Sequence, residues 1–452
     1  LHLCFRGVTL VCIFHEKLQT MRLLFFVAVL ALLSFSAQSQ LTYTSYFTGN
    51  ESDVVTYPTG GICLMGGSAE NDEAMKWFLN RADGGDILVI RASGSDGYND
   101  YLFSELGVTV NSVESIVFHG ASASDEEEIQ SSIMNAEAIW VAGGDQWDYV
   151  SYWRDSPVQD LINTAITERN IVIGGTSAGM AIMGSHYFSA QNGTVTSSEA
   201  LQNPYRTDVT VSSLPFIENA HLQDVITDTH YDDPDRKGRH VTFLARIFQD
   251  EGVYAKGLAC EERTAVCIDE NGIANVYGND PVNDIAYFIQ ANCALEDGAP
   301  ENCTANETLT WNHGGEALKV YKILAQPDGN NSFDLNDWQT GEGGVWEQWS
   351  ADDGELNISA SEPLDCPVFI GETEETKQIA FYPNPTQGII YISGVQSGEN
   401  RSVVIRDVAG KTVYQTANFD TEAVDLQFLK AGSYFISLTH SSGTEVKILV
   451  IE

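Results

Sequence analysis

The sequence predicts an α/β chain, a doubly wound, mostly parallel sheet followed by a small C-terminal β-sandwich, and three observations predict it. From about Val54 to Tyr277 short apolar runs alternate with amphipathic stretches, the pattern of strands alternating with covering helices. Ile171-Val-Ile-Gly-Gly-Thr-Ser-Ala-Gly-Met180 reads as a buried strand that turns sharply into a helix and presents Ser177 at the turn. From Ile379 the chain changes to short alternating strands separated by turn residues.

The parallel strands are expected at Gly61 to Met65, Asp86 to Ile90, Ser115 to Phe118, Ala138 to Val141 and Ile171 to Ile173, each apolar enough to be buried on both faces. Glu70 to Arg81 and Val158 to Glu168 read as covering helices, and His240 to Gln249 as a third. Ligands of such sheets sit beyond the carboxyl ends of the strands. The residues after the runs, Gly66-Gly-Ser-Ala-Glu70, Arg91-Ala-Ser93, His119-Gly120, Gly143-Gly-Asp-Gln146 and Ser177, should therefore line one crevice.

Gly175-Thr-Ser-Ala-Gly179 has the Gly-x-Ser-x-Gly spacing of a nucleophile elbow, and the same turn also suits phosphate binding or plain packing. A serine hydroxyl needs a base to take its proton, and the base works best when an acid orients it. His230, at the end of Thr227-Asp-Thr-His-Tyr231, is the candidate base. The acid is open between Glu262, its neighbour Glu261, and Asp228, which two residues before the histidine would share its face of a strand. The acidic loop Asp232 to Asp235 reads as solvated, with cation binding as the alternative, and no cofactor or metal is called for.

A length of 452 residues suits roughly two or three domains. With 63 acidic against 23 basic residues the formal net charge is -40, which disfavours nucleic acid and anionic membrane surfaces as partners and would attract a cationic polymer. Met21 is the expected translation start, Leu23 to Phe35 an apolar run of signal-peptide length, and Ala37-Gln-Ser39 a cleavage site, so residues 1–39 are expected to be removed. No run is long enough for a membrane span in the mature chain. Beyond Cys4 and Cys12, the remaining cysteines permit disulfides in an exported protein; Cys293 and Cys303, flanking an acidic loop, are the preferred pair, and Cys63 and Cys267 read as buried thiols or bridges.

These motifs, in this order, resemble the cyanophycinase and dipeptidase E group of serine peptidases, which have a class I glutamine amidotransferase-like fold. The matching pieces are Leu64-Met-Gly-Gly-Ser-Ala-Glu70, Gly143-Gly-Asp-Gln146, Gly174-Gly-Thr-Ser-Ala-Gly179, Asp228-Thr-His-Tyr231 with Arg236-Lys-Gly-Arg239, and Glu261-Glu-Arg-Thr-Ala265. The resemblance implies Ser177 as nucleophile, His230 as general base and Glu262 as the orienting acid. It implies Gly144 or Asp145 and Ala178 as backbone oxyanion donors, and makes Gly67, Glu70, Gln146, Asp228 and Arg239 the candidates for substrate binding. Ser68 and Asn71 depart from the usual alanine and aspartate of the opening turn. The implied substrate is a peptide or cyanophycin (multi-L-arginyl-poly-L-aspartate), cut to β-aspartyl-arginine dipeptides. An aspartyl dipeptidase and a non-catalytic binding protein on the same fold are the alternatives, and a homodimer is left open.

Residues 40–280 are thus read as the peptidase domain, and 281–370, with Trp338, Trp346 and Trp349, as an extension of it or insertion to it. Residues 371–378 read as a linker. Residues 379–452, with Tyr382-Pro-Asn-Pro385 and Gly410-Lys411 turns, resemble the C-terminal sorting domain of type IX secretion cargo, which implies the secretion machinery as a partner and a secreted or cell-surface location.

Overall fold

The computed structural model describes residues 41–363 apart from 213–215, 233 and 281, together with Cys366 and most of 380–451 apart from 383, 385, 394–401, 408–410, 418–422 and 441–442. The expected signal peptide, the expected linker, Pro383 and Pro385 of the Tyr-Pro-Asn-Pro turn and Gly410 of the Gly-Lys turn lie outside the described residues. The chain divides into two compact units, Leu1–Cys366 and Pro367–Glu452.

In the first unit the strands are β1 (Tyr43–Gly49), β2 (Gly61–Met65), β3 (Asp86–Arg91), β4 (Ser112–Phe118), β5 (Ala138–Val141), β6 (Val172–Thr176), the short β7 (Tyr187–Phe188) and β8 (Val211–Ser212), and β9 (Val225–Asp228). They continue with β10 (Lys256–Cys260), β11 (Ala265–Asp269), β12 (Ile273–Tyr277), β13 (Ile285–Ala291), β14 (Leu318–Leu324), β15 (Ser332–Asp334), β16 (Gly341–Glu342), β17 (Gly344–Asp352) and β18 (Glu355–Ala360). One sheet has the order β1-β4-β3-β5-β6-β2-β11-β12-β15-β16. Its core, β4-β3-β5-β6-β2, is the expected parallel set, each neighbour paired in parallel register.

Alternation along these strands sends side chains to two buried faces. Ile62, Leu64, Leu88 and Ile90 join one core with residues of the helices Glu127–Asn135, Gln146–Trp153 and Pro157–Arg169. Cys63, Met65, Ile87 and Val89 join another with Met75, Phe78 and Leu79 of the helix Asp72–Arg81. Burial on both faces is why these runs lack polar alternation in the sequence.

The expectation of a mostly parallel sheet needs correction. β1 joins β4, and β11 joins both β2 and β12, in antiparallel register, so the sheet is mixed. The turn Asp269-Glu-Asn-Gly272, with Gly272 at φ 81°, folds β12 back on β11 as a hairpin, a connection open only to antiparallel neighbours. A second sheet, of order β18-β17-β14-β13-β10-β9, was not foreseen. Leu258, Phe288 and Ile323 from one of its faces share the first sheet's core, while Ala259, Ile289 and Val320 from the other face pack with the helix Lys237–Glu251. The strands between Ile285 and Ala360 therefore belong to these two sheets, and Trp338, Trp346 and Trp349 are core side chains with at most 9% exposure.

The cysteine pairing also differs. Cys293 bridges Cys366, with Cα atoms 5.5 Å apart, whereas Cys303 is a free thiol buried among Leu309, Trp311 and their neighbours. Cys63 and Cys267 face each other across β2 and β11 as free buried thiols.

The second unit has a three-stranded and a four-stranded antiparallel sheet. Ile390 and Val424 of one and Val403, Ile405, Ile436 and Leu449 of the other form one core.

Candidate active site

Ser177 follows β6 and precedes the short helix Ala178–Ala181, in the backbone conformation φ 52°, ψ -116°. That is a sparsely populated region for a residue with a side chain, so the strain of the turn rests on the serine itself. The flanking glycines solve a different problem. A Cβ on Gly179 would stand 2.1 Å from the Val141 carbonyl oxygen, and one on Gly175 would stand 2.7 Å from the Gly179 carbonyl carbon. Glycine there lets the short helix approach β5 closely enough to close the turn.

The second sheet supplies the partners. β9 and β10 are adjacent parallel strands, His230 comes two residues after the end of β9, and Glu262 two residues after the end of β10. Ser177 Oγ lies 2.7 Å from His230 Nε2, and His230 Nδ1 lies 2.6 Å from Glu262 Oε1. With the proton on Nδ1, the ring donates to the carboxylate and accepts from the hydroxyl. The hydrogen bond from His230 holds the Glu262 carboxyl below its ordinary pKa, assisted by the histidine charge, the Ser68 hydroxyl and Arg263.

One turn ties these pieces together. Met65 O accepts from Ser177 N–H at 3.0 Å, Gly66 O from His230 N–H at 2.8 Å, and Gly67 O from Arg263 N–H at 3.0 Å, while Gly66 N–H donates to Thr264 O at 3.0 Å. The tip of β2 thus carries backbone bonds to the serine, the histidine and the loop of the acid. Gly67, at φ 112°, leaves no room for a side chain: a Cβ would stand 2.4 Å from His230 Nε2. Gly67 backs the imidazole, whereas the sequence made it a candidate for substrate binding.

The structure separates the candidate acids. Asp228 does not share the histidine's face, because β9 ends at Asp228 and His230 has φ 46°, which breaks the alternation. Its carboxylate takes two hydrogen bonds from the Arg239 guanidinium, one of them from Nε at 2.8 Å, and both residues are at most 3% exposed. Burial pushes the Asp228 carboxyl up, but the Arg239 guanidinium outweighs it and holds it below its ordinary value. Both had been candidates for substrate binding; closed upon each other and shut from solvent, they are corrected to a buried pair. Glu261 points away from the histidine and accepts from Tyr287 Oη at 2.7 Å.

Of the other candidates, Glu70 accepts a hydrogen bond from Tyr98 Oη, and Gln146 Nε2 lies 3.4 Å from Phe188 O. Asn71 caps the helix Asp72–Arg81, its side chain accepting from Glu73 and Ala74 N–H at 3.1 Å each, as an aspartate would. Gly144 is exposed in the turn after β5, and a Cβ on its neighbour Gly143 would lie 3.6 Å from Ser177 Cβ. Asp145 caps the helix Gln146–Trp153 through a 2.9 Å bond from Trp147 N–H, and Ala178 opens the helix after the serine. Asp232 in the acidic loop accepts from Glu262 N–H at 3.1 Å, and among the described residues no cluster suits a metal ion.

Comparison with known proteins finds similarity in two regions of the chain. Residues 95–276 match peptidase family S51, and residues 380–452 match the secretion system C-terminal sorting domain. The chain is 24% identical over 231 residues to a cyanophycinase of Trichormus variabilis, covering 49% of this chain and 72% of that one. It is 23% identical over 257 residues to a cyanophycinase of Geminocystis herdmanii, covering 53% and 88%. Among solved structures it aligns with a peptidase from an acI-B1 Actinobacterium at a TM-score of 0.36 and 15% identity, covering 51% of this chain and 91% of the other. No helix among the described residues is long and apolar enough to cross a membrane. The chain is a peptidase, with residues 95–276 similar to peptidase family S51 and residues 380–452 similar to a secretion-system C-terminal sorting domain.

Proposed function

We propose that this protein is an exported cyanophycinase-like serine peptidase, with Ser177, His230 and Glu262 as its triad on a class I glutamine amidotransferase-like fold. The observation that carries the reading is the continuous relay from Ser177 Oγ to His230 Nε2 and from His230 Nδ1 to Glu262 Oε1, at 2.7 and 2.6 Å.

In the mechanism, Oγ attacks the substrate carbonyl carbon as its proton passes to His230 Nε2. The imidazolium so formed is stabilised by the Glu262 carboxylate, which does not itself take the proton. The tetrahedral oxyanion is received by backbone N–H groups of Ala178 and of Gly144 or Asp145, the exposed turn beside the serine. His230 returns the proton to the leaving amine, the C–N bond breaks, and an ester on Ser177 remains. Water attacks that ester, losing its proton to His230, which passes it back to Oγ as the acid product leaves.

The curated relatives named cyanophycinase favour a poly-aspartate chain bearing arginine as substrate, and the net charge of -40 would draw such a cationic polymer. The deciding experiment incubates the protein with cyanophycin beside aspartyl dipeptides and tripeptides, with fluorophosphonate labelling of Ser177 in parallel. Release of β-aspartyl-arginine is expected; cleavage of the short aspartyl peptides alone would make the protein an aspartyl dipeptidase. A folded protein that takes no label would be a binding protein.

The signal peptide and sorting domain lead to a mature chain that starts near Gln40 and loses the sorting domain on export. Intact-mass measurement of secreted protein tests this, and a secreted chain retaining Met21 and Glu452 would overturn it.

A further inference from the structure

We propose that Arg91 is the specificity residue of this site, receiving a carboxylate of the substrate on the guanidinium at the rim of the crevice; the proposal rests on the triad reading above. Arg91 is the last residue of β3, and in the sheet β3 neighbours β5, which neighbours the β6 that delivers Ser177. Two strand spacings of about 4.8 Å put the two backbones roughly 10 Å apart at the same end of the sheet. An extended peptide advances about 3.3 to 3.6 Å per residue, so this is the reach of a carboxylate a residue or two from the scissile bond, or at the end of a side chain.

In the first unit Arg91 shares with Arg236 and Arg263 the absence of an ion pair among the described residues, and of the three it stands at the carboxyl end of a strand of the parallel core. Acidic residues outnumber basic ones 63 to 23, and other arginines have taken carboxylates: Arg81 pairs with Glu270, Arg206 with Asp208, Arg239 with Asp228 and Arg246 with Asp250. Among the described residues Arg91 makes no ion pair, although it is half-buried. Its guanidinium is instead held by uncharged groups. Nε donates to Ser93 O and Nη1 to Ser95 O at 3.3 Å, and the Tyr98 ring lies 5.6 Å away. Tyr98 is fixed in turn by its hydrogen bond to Glu70, next to the turn that backs His230.

A guanidinium has five N–H donors, and two are used. What remains is a positive charge of fixed orientation with donors to spare, the arrangement that suits a planar carboxylate. Gly94, at φ 98°, is the part of the loop that lets the guanidinium fold against it, since a Cβ there would lie 2.4 Å from Nη2. The carboxylate has two sources of the same chemistry: the side chain of an aspartyl residue, or the α-carboxylate of an arginine linked through its amine to a poly-aspartate chain.

The test uses two matched substrate pairs with the full chain: aspartyl against asparaginyl p-nitroanilide, and a β-aspartyl-arginine oligomer against the same oligomer with its arginine carboxylates amidated. The parent is expected to favour the acid over the neutral member of one pair by roughly 10- to 100-fold in kcat/KM, the scale of one charged hydrogen-bonded pair. Arg91→Gln should cut that preference to about threefold or less, with cleavage of the neutral member unchanged, and Arg91→Lys should retain part of it. Whichever pair shows the preference identifies the source of the carboxylate. A parent with no preference in either pair, by equal cleavage or by none, overturns the proposal. So does an Arg91→Gln protein that loses both members equally, the result expected of a loop staple, or that keeps the preference. Labelling of Ser177 by a neutral fluorophosphonate keeps the two readings apart: absence of label in the parent removes the triad, whereas label retained in Arg91→Gln shows the elbow intact.

Discussion

The two sheets of the first unit contribute to the site by different physical means. The parallel core of the first sheet delivers Ser177 on a strained residue, at φ 52°, held between glycines that admit the close approach of β5 and the short helix. The second sheet delivers His230 and Glu262 from the ends of neighbouring parallel strands, where strand spacing alone brings the two side chains together. Between them the tip of β2 makes backbone hydrogen bonds to both sides. The proposed nucleophile thus depends on local backbone geometry and the proposed base and acid on strand pairing, so substitutions in the two regions should fail in different ways.

The largest effect is expected at the elbow. Ser177→Ala removes only the hydroxyl from a conformation that alanine tolerates as well as serine does. Turnover should fall on the order of 10⁴-fold or more with the melting temperature unchanged, as for loss of a triad nucleophile. Parent-like turnover in purified Ser177→Ala protein would sink the triad.

Next come the two carboxylates of the second sheet, which should separate activity from stability. Glu262→Gln keeps the shape of the acid but removes the counter-charge of the imidazolium, so kcat should drop roughly 10²- to 10⁴-fold with little change in melting. Asp228→Asn leaves the Arg239 guanidinium buried without its partner, which should destabilise the fold by about 3 to 5 kcal/mol, read in a denaturant titration. The reverse pattern, a stable and inactive Asp228→Asn beside an active Glu262→Gln, would hand the role of the acid to Asp228.

Gly67→Ala tests the turn between the sheets. Its Cβ would need the space of His230 Nε2, and the backbone at φ 112° adds strain, so the imidazole must shift. A displacement near 1 Å can cost about 100-fold in rate, and kcat should fall by that order while fluorophosphonate labelling slows in parallel. Unchanged kcat would show that the ring has room the geometry denies it.

How much of this was legible in the sequence follows from the same contrast. The five parallel strands and the elbow are local signals: runs of Ile, Val and Leu buried on both faces, then a serine between glycines. The second sheet has no such signature. Its strands are spread from Val225 to Ala360, and β13, β14 and β17 are joined by loops rich in Asn, Asp and Gly that read as an extension. His230 was legible as a histidine ending a strand-like run, whereas the choice of Glu262 over Glu261 and Asp228 came only from the resemblance in motif order. Asp228 was misread since strand alternation was continued through His230, where the backbone has already left the strand. The Cys293–Cys366 bridge spans 73 residues, and nothing in the sequence between them favours it over the near neighbour Cys303. Arg91 was visible as a residue of the crevice, but that it makes no ion pair among the described residues is a fact of three dimensions.

The smallest expected effect concerns Glu261, the neighbour of Glu262, and it sharpens the contrast between the two carboxylates that follow β10. Glu262 faces the histidine, whose hydrogen bond lowers its pKa; Glu261 faces Tyr287, and burial pushes its carboxyl up to about 7 against the Tyr287 hydrogen bond and Lys237. The folded protein therefore holds a proton on Glu261 that the unfolded chain gives up near pH 4.5. A raised carboxyl favours the folded state below the unfolded value, and that contribution fades as pH rises through the folded one. Glu261 and Glu137, likewise pushed up to about 7 by burial, should therefore each contribute a decline in stability between about pH 4.5 and 7, opposed by His240, which burial lowers to about 4 and which contributes a rise over about pH 4 to 6.5. Glu261→Gln, which keeps an acceptor for Tyr287 but cannot ionise, should flatten part of this decline and leave kcat near that of the parent. Melting temperatures across that range for parent and variant give the answer. Equal slopes would mean that Glu261 is already ionised in the folded protein, and a collapse of kcat would mean that it acts on His230 through Glu262 after all.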